Sequence, residues 1–399
     1  MKTAAKDFKM TELGPIPKDW EVKQVDEFAE VTTGNRNTQD AQSNGAYPFY
    51  VRSPIVERID DYSFDTTGVV TAGDGVGTGK IFHFAQGKFG LHQRAYLIYD
   101  FDGVDAKYFY WVFSRNFYDR IMQMTAKSSV DSVRREMITG MEIALPPLPE
   151  QRKIAAALSD VDEMIAALEK LIEKKRKIKA GAMQRLLTGK TRLPGFKGAW
   201  VEKCLGELGY GVRGVGYKPW QSGTTPMVGR VQLLRSNNVQ DGRLNFNDVV
   251  YVDECCVSDG QRMRVGDILI CAANGSRNLV GKAAPLLVER EVTFGAFMSV
   301  FRCHDNNQAA FVGHLLNSGT YKQKLDDILT GSAINNLNVS DIEDMIFFVP
   351  PTLAEQKAIA KVLGDMDEEI AALESELAKT RQLKQGMMQE LLTGKVRLG

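Results

Sequence analysis

The sequence predicts an α+β protein with an internal pseudo-two-fold repeat: two globular halves, each followed by a long helix, the two helices pairing as an antiparallel coiled coil. Three observations lead there. A 44-residue segment occurs twice at an offset of 205, each copy carries a heptad seam, and the stretches before the copies read as short strands between turns.

The repeat opens at Glu150-Gln151-Arg152-Lys153-Ile154-Ala155 and again at Glu355-Gln356-Lys357-Ala358-Ile359-Ala360. It runs without a gap to Leu-Leu-Thr-Gly-Lys at 186–190 and 391–395 and to Arg192-Leu193 and Arg397-Leu398, with 26 of the 44 aligned positions identical. A weaker likeness extends upstream. Thr125 faces Thr330, Pro146-Pro147 faces Pro351-Thr352, and Gly73-x5-Gly79-Lys80 resembles Gly275-x5-Gly281-Lys282. The starts of the halves also correspond, Gly14 to Trp20 with Pro194 to Trp200. These boundaries divide the chain into a first globular part at 1–149, a helix at 150–193, a second globular part at 194–351 and a second helix at 352–399.

In the first copy Ile154, Leu158, Val161, Ile165, Leu168 and Ile172 alternate steps of four and three, which is the seam of a coiled coil. Ile359, Leu363, Met366, Ile370, Leu373 and Leu377 answer in the second, so each seam is the expected partner of the other. Thr352-Leu-Ala-Glu355 reads as a capping box, and Pro149 marks the start of the first copy. Gly189 and Gly394 sit where a C-terminal cap belongs. Gly181 and Gly386, inside the helices, predict a kink or a close helix crossing. At about 1.5 Å per residue each helix reaches on the order of 58 Å.

The parts at 20–100 and 205–303 carry Gly, Asn and Asp turns between short apolar runs such as Gly68-Val-Val-Thr71 and Asp267-Ile-Leu-Ile270. Each is followed by a helical stretch, around 105–124 and 308–329. The aromatic run Tyr108-Phe-Tyr-Trp-Val-Phe113 is expected to be buried against a sheet rather than exposed for stacking.

Composition bounds the function. With 399 residues, 44% hydrophobic and 25% charged, the chain is an ordinary folded protein of several domains. Lys+Arg and Asp+Glu are both 50, so any nucleic-acid surface must be local. Five cysteines without a C-x-x-C fit reduced thiols. No apolar leader and no run long enough to span a membrane is present, so a cytoplasmic protein is expected. Catalytic motifs are missing. Gly73-Asp-Gly-Val-Gly-Thr-Gly-Lys80 fails the P-loop spacing, since Asp74 stands where the first glycine belongs and Ile81 replaces the Ser/Thr. It fails the dinucleotide pattern as well. His83, His92, His304 and His314 are scattered, no G-x-S-x-G occurs, and the proline pairs lack the pattern of amino-methyltransferases. No cofactor, metal or catalytic activity of its own is expected.

Charge and loop polarity are more informative. Residues 150–193 hold eleven Lys/Arg and six Asp/Glu, concentrated in Glu173 to Lys179, whereas the second copy holds seven and eight. The two helices are therefore not electrostatically equivalent. Polar groups suited to base edges cluster at Leu234 to Asn238, Asn274 to Arg277 and Ser332 to Asn336. Arg paired with guanine and Asn with adenine are the favoured major-groove contacts.

The pattern P-P-L-x-E-Q-x-x-I-A, a heptad helix ending L-L-T-G, and a second copy of both resemble HsdS, the specificity subunit of type I restriction–modification systems. The likeness is specific over Pro146 to Arg192 and Pro350 to Arg397, and looser over Tyr47 to Ser53, Arg264 to Ile270 and Gly275 to Lys282. It implies two target-recognition domains, each reading one half of a split, asymmetric double-stranded DNA site. It implies too that the helices act as spacer and docking platform for two methyltransferase (HsdM-type) subunits, with restriction/translocase (HsdR-type) subunits joining the assembly. The expected DNA-facing residues are Tyr50, Arg52, Lys80, Gln93, Arg94, Ser129, Arg134 and Arg135 in the first half. In the second they are Arg235, Asn237, Asn238, Ser276, Arg277, Lys282, Asn335 and Asn336. The rival expectation is a non-catalytic coiled-coil scaffold that does not read DNA.

Overall fold

Among the residues described by the computed structural model (7–124, 132–304, 309–330 and 335–398), the chain forms seven α-helices. They are α1 (Ala106–Met124), α2 (Arg135–Thr139), α3 (Leu148–Leu186), α4 (Ala309–Leu315), α5 (Gly319–Thr330), α6 (Val339–Glu343) and α7 (Leu353–Leu391). The duplicated segments become α3 and α7, 39 residues each. The chain divides into two units, Met1–Glu169 with Ser375–Gly399 (unit 1) and Lys170–Glu374 (unit 2), so each unit takes a stretch of both long helices.

Unit 1 is built on a mixed six-stranded sheet in the order Glu30–Thr33, Ala95–Tyr99, Phe64–Ala72, Phe82–Leu91, Tyr47–Tyr50, Glu57–Ile59. Tyr47–Tyr50 runs parallel to its neighbour, Tyr50 facing Leu91, and the other pairs are antiparallel. Helix α1 packs on this sheet with the aromatic run inward. Phe109, Phe113 and Phe117 stack in series with ring centroids 5.2 and 4.4 Å apart, and Phe82 from the sheet meets Phe113 edge-on. Tyr108 donates from its buried Oη to the carbonyl of Ala144 at 2.7 Å. These rings are core, as their spacing predicts.

Unit 2 splits the corresponding sheet in two. One runs Gly209–Arg213, Met298–Cys303, Ile268–Cys271, Ala283–Pro285, and the other Ser222–Gly223, Val250–Asp253, Arg230–Leu234, Val292–Phe294. The parallel step recurs, Leu234 facing Phe294. Asp267, in the turn that follows Arg264, is almost fully buried and holds the Arg302 guanidinium through two oxygens at 2.8 and 2.6 Å.

A two-stranded ladder delivers the chain to each long helix, Glu21–Gln24 with Glu142–Leu145 and Val201–Cys204 with Ile346–Val349. The helices pair antiparallel within each unit. In unit 1 Asp162 meets Lys384, and Glu169 meets Arg381 at 2.6 Å. In unit 2 Lys175, Arg176 and Lys179 meet Glu369, Glu374 and Asp367 at 2.5, 2.7 and 2.5 Å. The basic run of α3 is thus partly neutralised by acids of α7. All twelve seam residues are buried or half-buried, with Ile154, Leu158, Ile359 and Leu363 fully enclosed. Of the kink or close crossing expected at Gly181 and Gly386, the close crossing is not found. Helix continues through both, and among the described residues nothing lies within 4 Å of a Cβ placed at either, so neither marks a close crossing.

The segment after each helix explains the rest of the repeated motif. Gly394 and Gly189 adopt φ of +68° and +69°, a conformation glycine enters without a Cβ clash, and turn the chain back. A Cβ at Gly394 would lie 2.4 Å from Pro17, and one at Gly189 3.2 Å from the Trp200 ring. Three residues on, the arginine of each copy reaches the first glutamate of the other copy. Arg397 grips Glu150 through Nε and Nη2 at 2.7 Å each, and its guanidinium also takes both oxygens of Asp19. Arg192 grips Glu355 at 2.5 and 2.7 Å. Each guanidinium lies 5.9 Å from a tryptophan ring, Trp20 or Trp200. Thr352 caps α7 by accepting from the Glu355 N–H at 3.3 Å, whereas the Glu355 carboxylate, expected to complete a capping box, is taken by Arg192.

Glu355 is 1% exposed and Arg192 26%, so Arg192→Ala strands a buried carboxylate and should cost unit 2 about 3 kcal/mol, measured by urea unfolding. Burial works to raise the pKa of Glu150, but the Arg397 guanidinium outweighs it and holds the carboxyl below its ordinary value of 4.5. A lowered folded-state pKa gives stability that is complete above that ordinary value and is lost as pH falls through the folded value. Glu150→Gln should therefore be less stable than the parent at about pH 7 and lose less on acidification to about pH 3. A parallel acid limb in the two proteins would contradict this.

Candidate nucleic-acid interface

Both units build one loop platform on the same backbone frame. In unit 1 the His92 N–H donates to the Tyr50 carbonyl at 3.0 Å, and in unit 2 the Gly295 N–H donates to Leu234 at 3.0 Å. The turn that follows is closed by Ala95 onto His92 and by Met298 onto Gly295. The glycine-rich loops leave their strands at equivalent points. Gly73 N–H donates to Arg94 O at 2.8 Å, and Ala272 N–H to Phe297 O at 2.9 Å. The segment before α2 or α6 then crosses this loop, Val133 N–H donating to Gly73 O and Leu337 N–H to Ala272 O, both at 2.7 Å. Isolated bridges pair Asp74 with Ser132 and Ala273 with Asn336.

Each loop ends on a glycine that geometry requires. Gly79 and Gly281 have φ of +71° and +79°, and a Cβ at either would fall 2.2 Å from a methyl carbon, of Ile121 in α1 or Leu325 in α5. Glycine here lets the loop lie against the helix, and Lys80 and Lys282 follow it into solvent. The loop has nine steps in unit 2, from Ala272 to Gly281, and six in unit 1, from Gly73 to Gly79.

The side chains on this common frame differ. In unit 1 Asp74 accepts from Nη1 of Arg52 and from Nη1 of Arg94, the latter at 3.1 Å. Burial pushes the Asp74 pKa up, and the two guanidiniums outweigh it and hold the carboxyl below its usual range. Buried His92 accepts the Arg94 N–H on Nδ1 at 3.0 Å, and burial and then the Arg52 charge keep its pKa below the ordinary imidazole value. In unit 2 Ala273 stands at the position of Asp74, and the residue matching Arg52 is held from the next loop position by a neutral contact, Asn274 Nδ2 donating to Ser236 Oγ at 3.2 Å. Phe297 stands at the position of Arg94 and is 73% exposed.

The sequence-predicted residues divide on this geometry. Arg52, Arg94 and Gln93 lie together, Gln93 donating to Asn37 at 2.5 Å. Lys80 sits 4.5 Å from the Tyr118 ring centroid. Arg134 and Arg135 are exposed at the start of α2, and Ser129 lies outside the described residues. In unit 2 Arg235, Asn237, Ser276, Asn335 and Asn336 surround Asn274 on three converging loops. Ser276 N–H donates to Asn274 Oδ1 at 2.9 Å, and Asn335 Nδ2 to Gly275 O at 3.3 Å. Asn237 donates to Asp248 at 2.7 Å. The Arg235 guanidinium lies 3.6 Å from Asp248, with a buried Nε that has no partner among the described residues. Arg277 is exposed but turned onto α5, donating to Thr330 at 2.7 Å.

Two expected residues are structural. Tyr50 is 8% exposed, its ring packed edge-on against Phe89 at 5.3 Å, because its strand pairs inside the sheet. Asn238 is 1% exposed, and its amide closes a turn by accepting from Arg235 N–H and donating to the carbonyls of Asn245 and Asp248 at 2.8, 2.8 and 2.9 Å. Asp74 and Phe297 were not among the expected residues. Their signal is the correspondence of Leu91-His-Gln-Arg94-Ala95 with Phe294-Gly-Ala-Phe297-Met298, which becomes visible only once the strands are aligned in space.

A loop platform present once in each of two units, each unit with paired stretches of two long helices, defines an internally duplicated class of protein. The type I restriction modification DNA specificity domain matches at residues 17–180 and 198–380, most of the chain, and the protein belongs to that family. It is 30% identical to the type I restriction enzyme EcoKI specificity subunit of Escherichia coli (strain K12) over 197 residues, 49% of this chain and 42% of that one. With the StySPI specificity subunit of Salmonella potsdam the match is 30% over 46% of this chain and 40% of that one. The aligned residues thus span less than half the length of these two relatives. The putative type I restriction enzyme MjaX specificity subunit of Methanocaldococcus jannaschii is 25% identical over 98% of this chain and 97% of its own. Among solved structures, the S subunit of a type I restriction–modification system from M. genitalium shares the fold with a TM-score of 0.69 at 16% identity, covering 96% of this chain and 97% of that one.

Since the Asn238 amide is internal, Asn238→Ala should lower the urea stability of unit 2 by about 1–3 kcal/mol, the cost of leaving buried backbone carbonyls unpaired. DNA selectivity of the assembled protein should stay as it was. A change of selectivity at parental stability would return Asn238 to the interface.

Proposed function

We propose that the chain is the DNA sequence-specificity subunit of a type I restriction–modification complex, each loop platform reading one half of a bipartite, asymmetric site. The observation that carries this reading is a common frame fitted with different side chains: Arg52, Asp74 and Arg94 cluster on one platform, where the other has Ser236, Asn274 and Phe297 beside Arg235. A protein that only held partners together would need no such difference at equivalent loop tips. Arg, Asn and Ser donors on loops around an open surface are suited to base edges in the major groove.

The chain transfers no methyl group itself; that chemistry belongs to methyltransferase subunits docked on the helices, with restriction/translocase subunits in the larger assembly. The helices carry a feature fit for docking. Met164, Leu171 and Ile178 recur every seven residues along α3 and are 46%, 37% and 47% exposed. Leu383, the equivalent of Ile178 on α7, is 57% exposed. Apolar side chains left out of the seam offer docking surface on both helices, but unequally, since Glu369 and Glu376 stand on α7 where Met164 and Leu171 stand on α3. No helix among the described residues is long and apolar enough to cross a membrane, in keeping with work on DNA in the cytoplasm.

Mapping N6-methyladenine across a genome in cells that express the partner methyltransferase, with and without this chain, tests the reading. A split motif that requires the chain is expected, and an unchanged map with an active methyltransferase would overturn it. In the same assay Arg235→Ala should relax one base of one half-site. Uniform weakening at all sites would mark Arg235 as a phosphate contact.

A further inference from the structure

The two platforms can be superposed step by step through their backbone hydrogen bonds, and that correspondence isolates two matched positions and, one residue out of step, a loop side chain bonded to one of them, since Asp74 falls at Ala273 and Asn274 follows it. Counting from the strand that ends at Tyr50 or Leu234, Arg52 matches Ser236. Asp74 and Asn274 each bond to that residue from the glycine-rich loop. Arg94 matches Phe297, since the carbonyl of each receives the N–H that begins the loop. The outermost member is well exposed on both platforms, 61% for the Arg94 side chain and 73% for Phe297.

We infer that these three side chains set the base preference of each platform: Arg52, Asp74 and Arg94 read a G·C pair, and Ser236, Asn274 and Phe297 read an A·T pair. The inference rests on the reading of both platforms as DNA readers and names what each recognises at this point.

The chemistry follows from the side chains. A guanidinium recognises guanine by donating two parallel hydrogen bonds to O6 and N7, which requires the fork to be held in one orientation. Asp74 does that holding. It takes one Nη of each arginine, and among the described residues their other donors have no protein partner. A fork braced before DNA arrives loses less side-chain freedom on binding. Adenine and cytosine present an amino group at the corresponding edge and repel the same donors. On the second platform the Asn274 amide is held in place by one donated bond to Ser236 Oγ and one accepted from Ser276 N–H, with its second N–H left over. The exposed group is the Phe297 ring, which has no hydrogen-bonding capacity and matches the C5-methyl of thymine.

The test uses the complete chain in complex with its methyltransferase partner and a set of duplexes in which each base pair of the methylated motif is changed one at a time. Arg94→Ala should lower discrimination at one G·C pair of one half-site by about 5- to 150-fold and leave the other half-site as in the parent. Asp74→Asn should lower it at the same pair by a smaller factor, since both arginines remain. Phe297→Ala should affect an A·T pair of the opposite half-site. The inference is overturned if Arg94→Ala weakens binding equally to every duplex, if its only effect is a lower melting temperature, or if the sensitive pair is not G·C. If the parent complex distinguishes none of the duplexes, it is the DNA-reading function itself that fails.

Discussion

The reciprocal grip of Arg397 on Glu150 and Arg192 on Glu355 is the constraint on which the rest of the architecture depends. Each arginine follows the C-terminus of one long helix, and each glutamate stands in the first turn of the other. The two copies of the repeat therefore complete each other, and neither unit is closed by a continuous piece of chain. The pairs are bidentate, their carboxylates almost fully buried and their guanidiniums near a tryptophan, so the register between the helices is held by directional bonds as well as by the apolar seam. A seam of Ile and Leu alone tolerates slippage by a heptad, and a buried charge that must find one partner does not.

With the helices registered, each unit can vary at its loop tips without risk to its frame. The frame is set by backbone hydrogen bonds and by glycines whose Cβ would collide with a neighbour, as at Gly79 and Gly281. Neither device depends on the identity of the exposed side chains. Unit 1 can thus present the Arg52–Asp74–Arg94 cluster and unit 2 Ser236, Asn274 and Phe297, with a loop three residues longer, over the same supporting turn. Division of the molecule into an invariant support and variable tips is what separate recognition of two unlike sequences calls for.

The long helices and the repeat were legible in the sequence because their signals are local: a period of 3.5 over six apolar positions, an αL glycine after the last turn, a gapless self-match. The aromatic burial of α1 could be read for the same reason. Strand order was not legible, because the parallel step at Tyr47–Tyr50 and the split of the second sheet are set by pairings between distant segments. That limit explains why two residues expected at a DNA surface, Tyr50 and Asn238, are buried. Tyr50 and Asn238 have the right chemistry for DNA, but one ends an internal strand and the other closes a turn. It also explains why Phe297 went unseen, since a lone aromatic in a loop carries no pattern. Gly181 and Gly386 show the converse, a local signal to which no close packing corresponds.

Replacing residues 194–351 by a second copy of residues 1–149 tests most directly whether two independently fitted loop platforms share one support. Methylated DNA from cells carrying this chain and its partner methyltransferase should then show a split motif with the same half-site sequence on both sides, that of the first reader. A motif that keeps the original second half-site after the replacement would contradict the account.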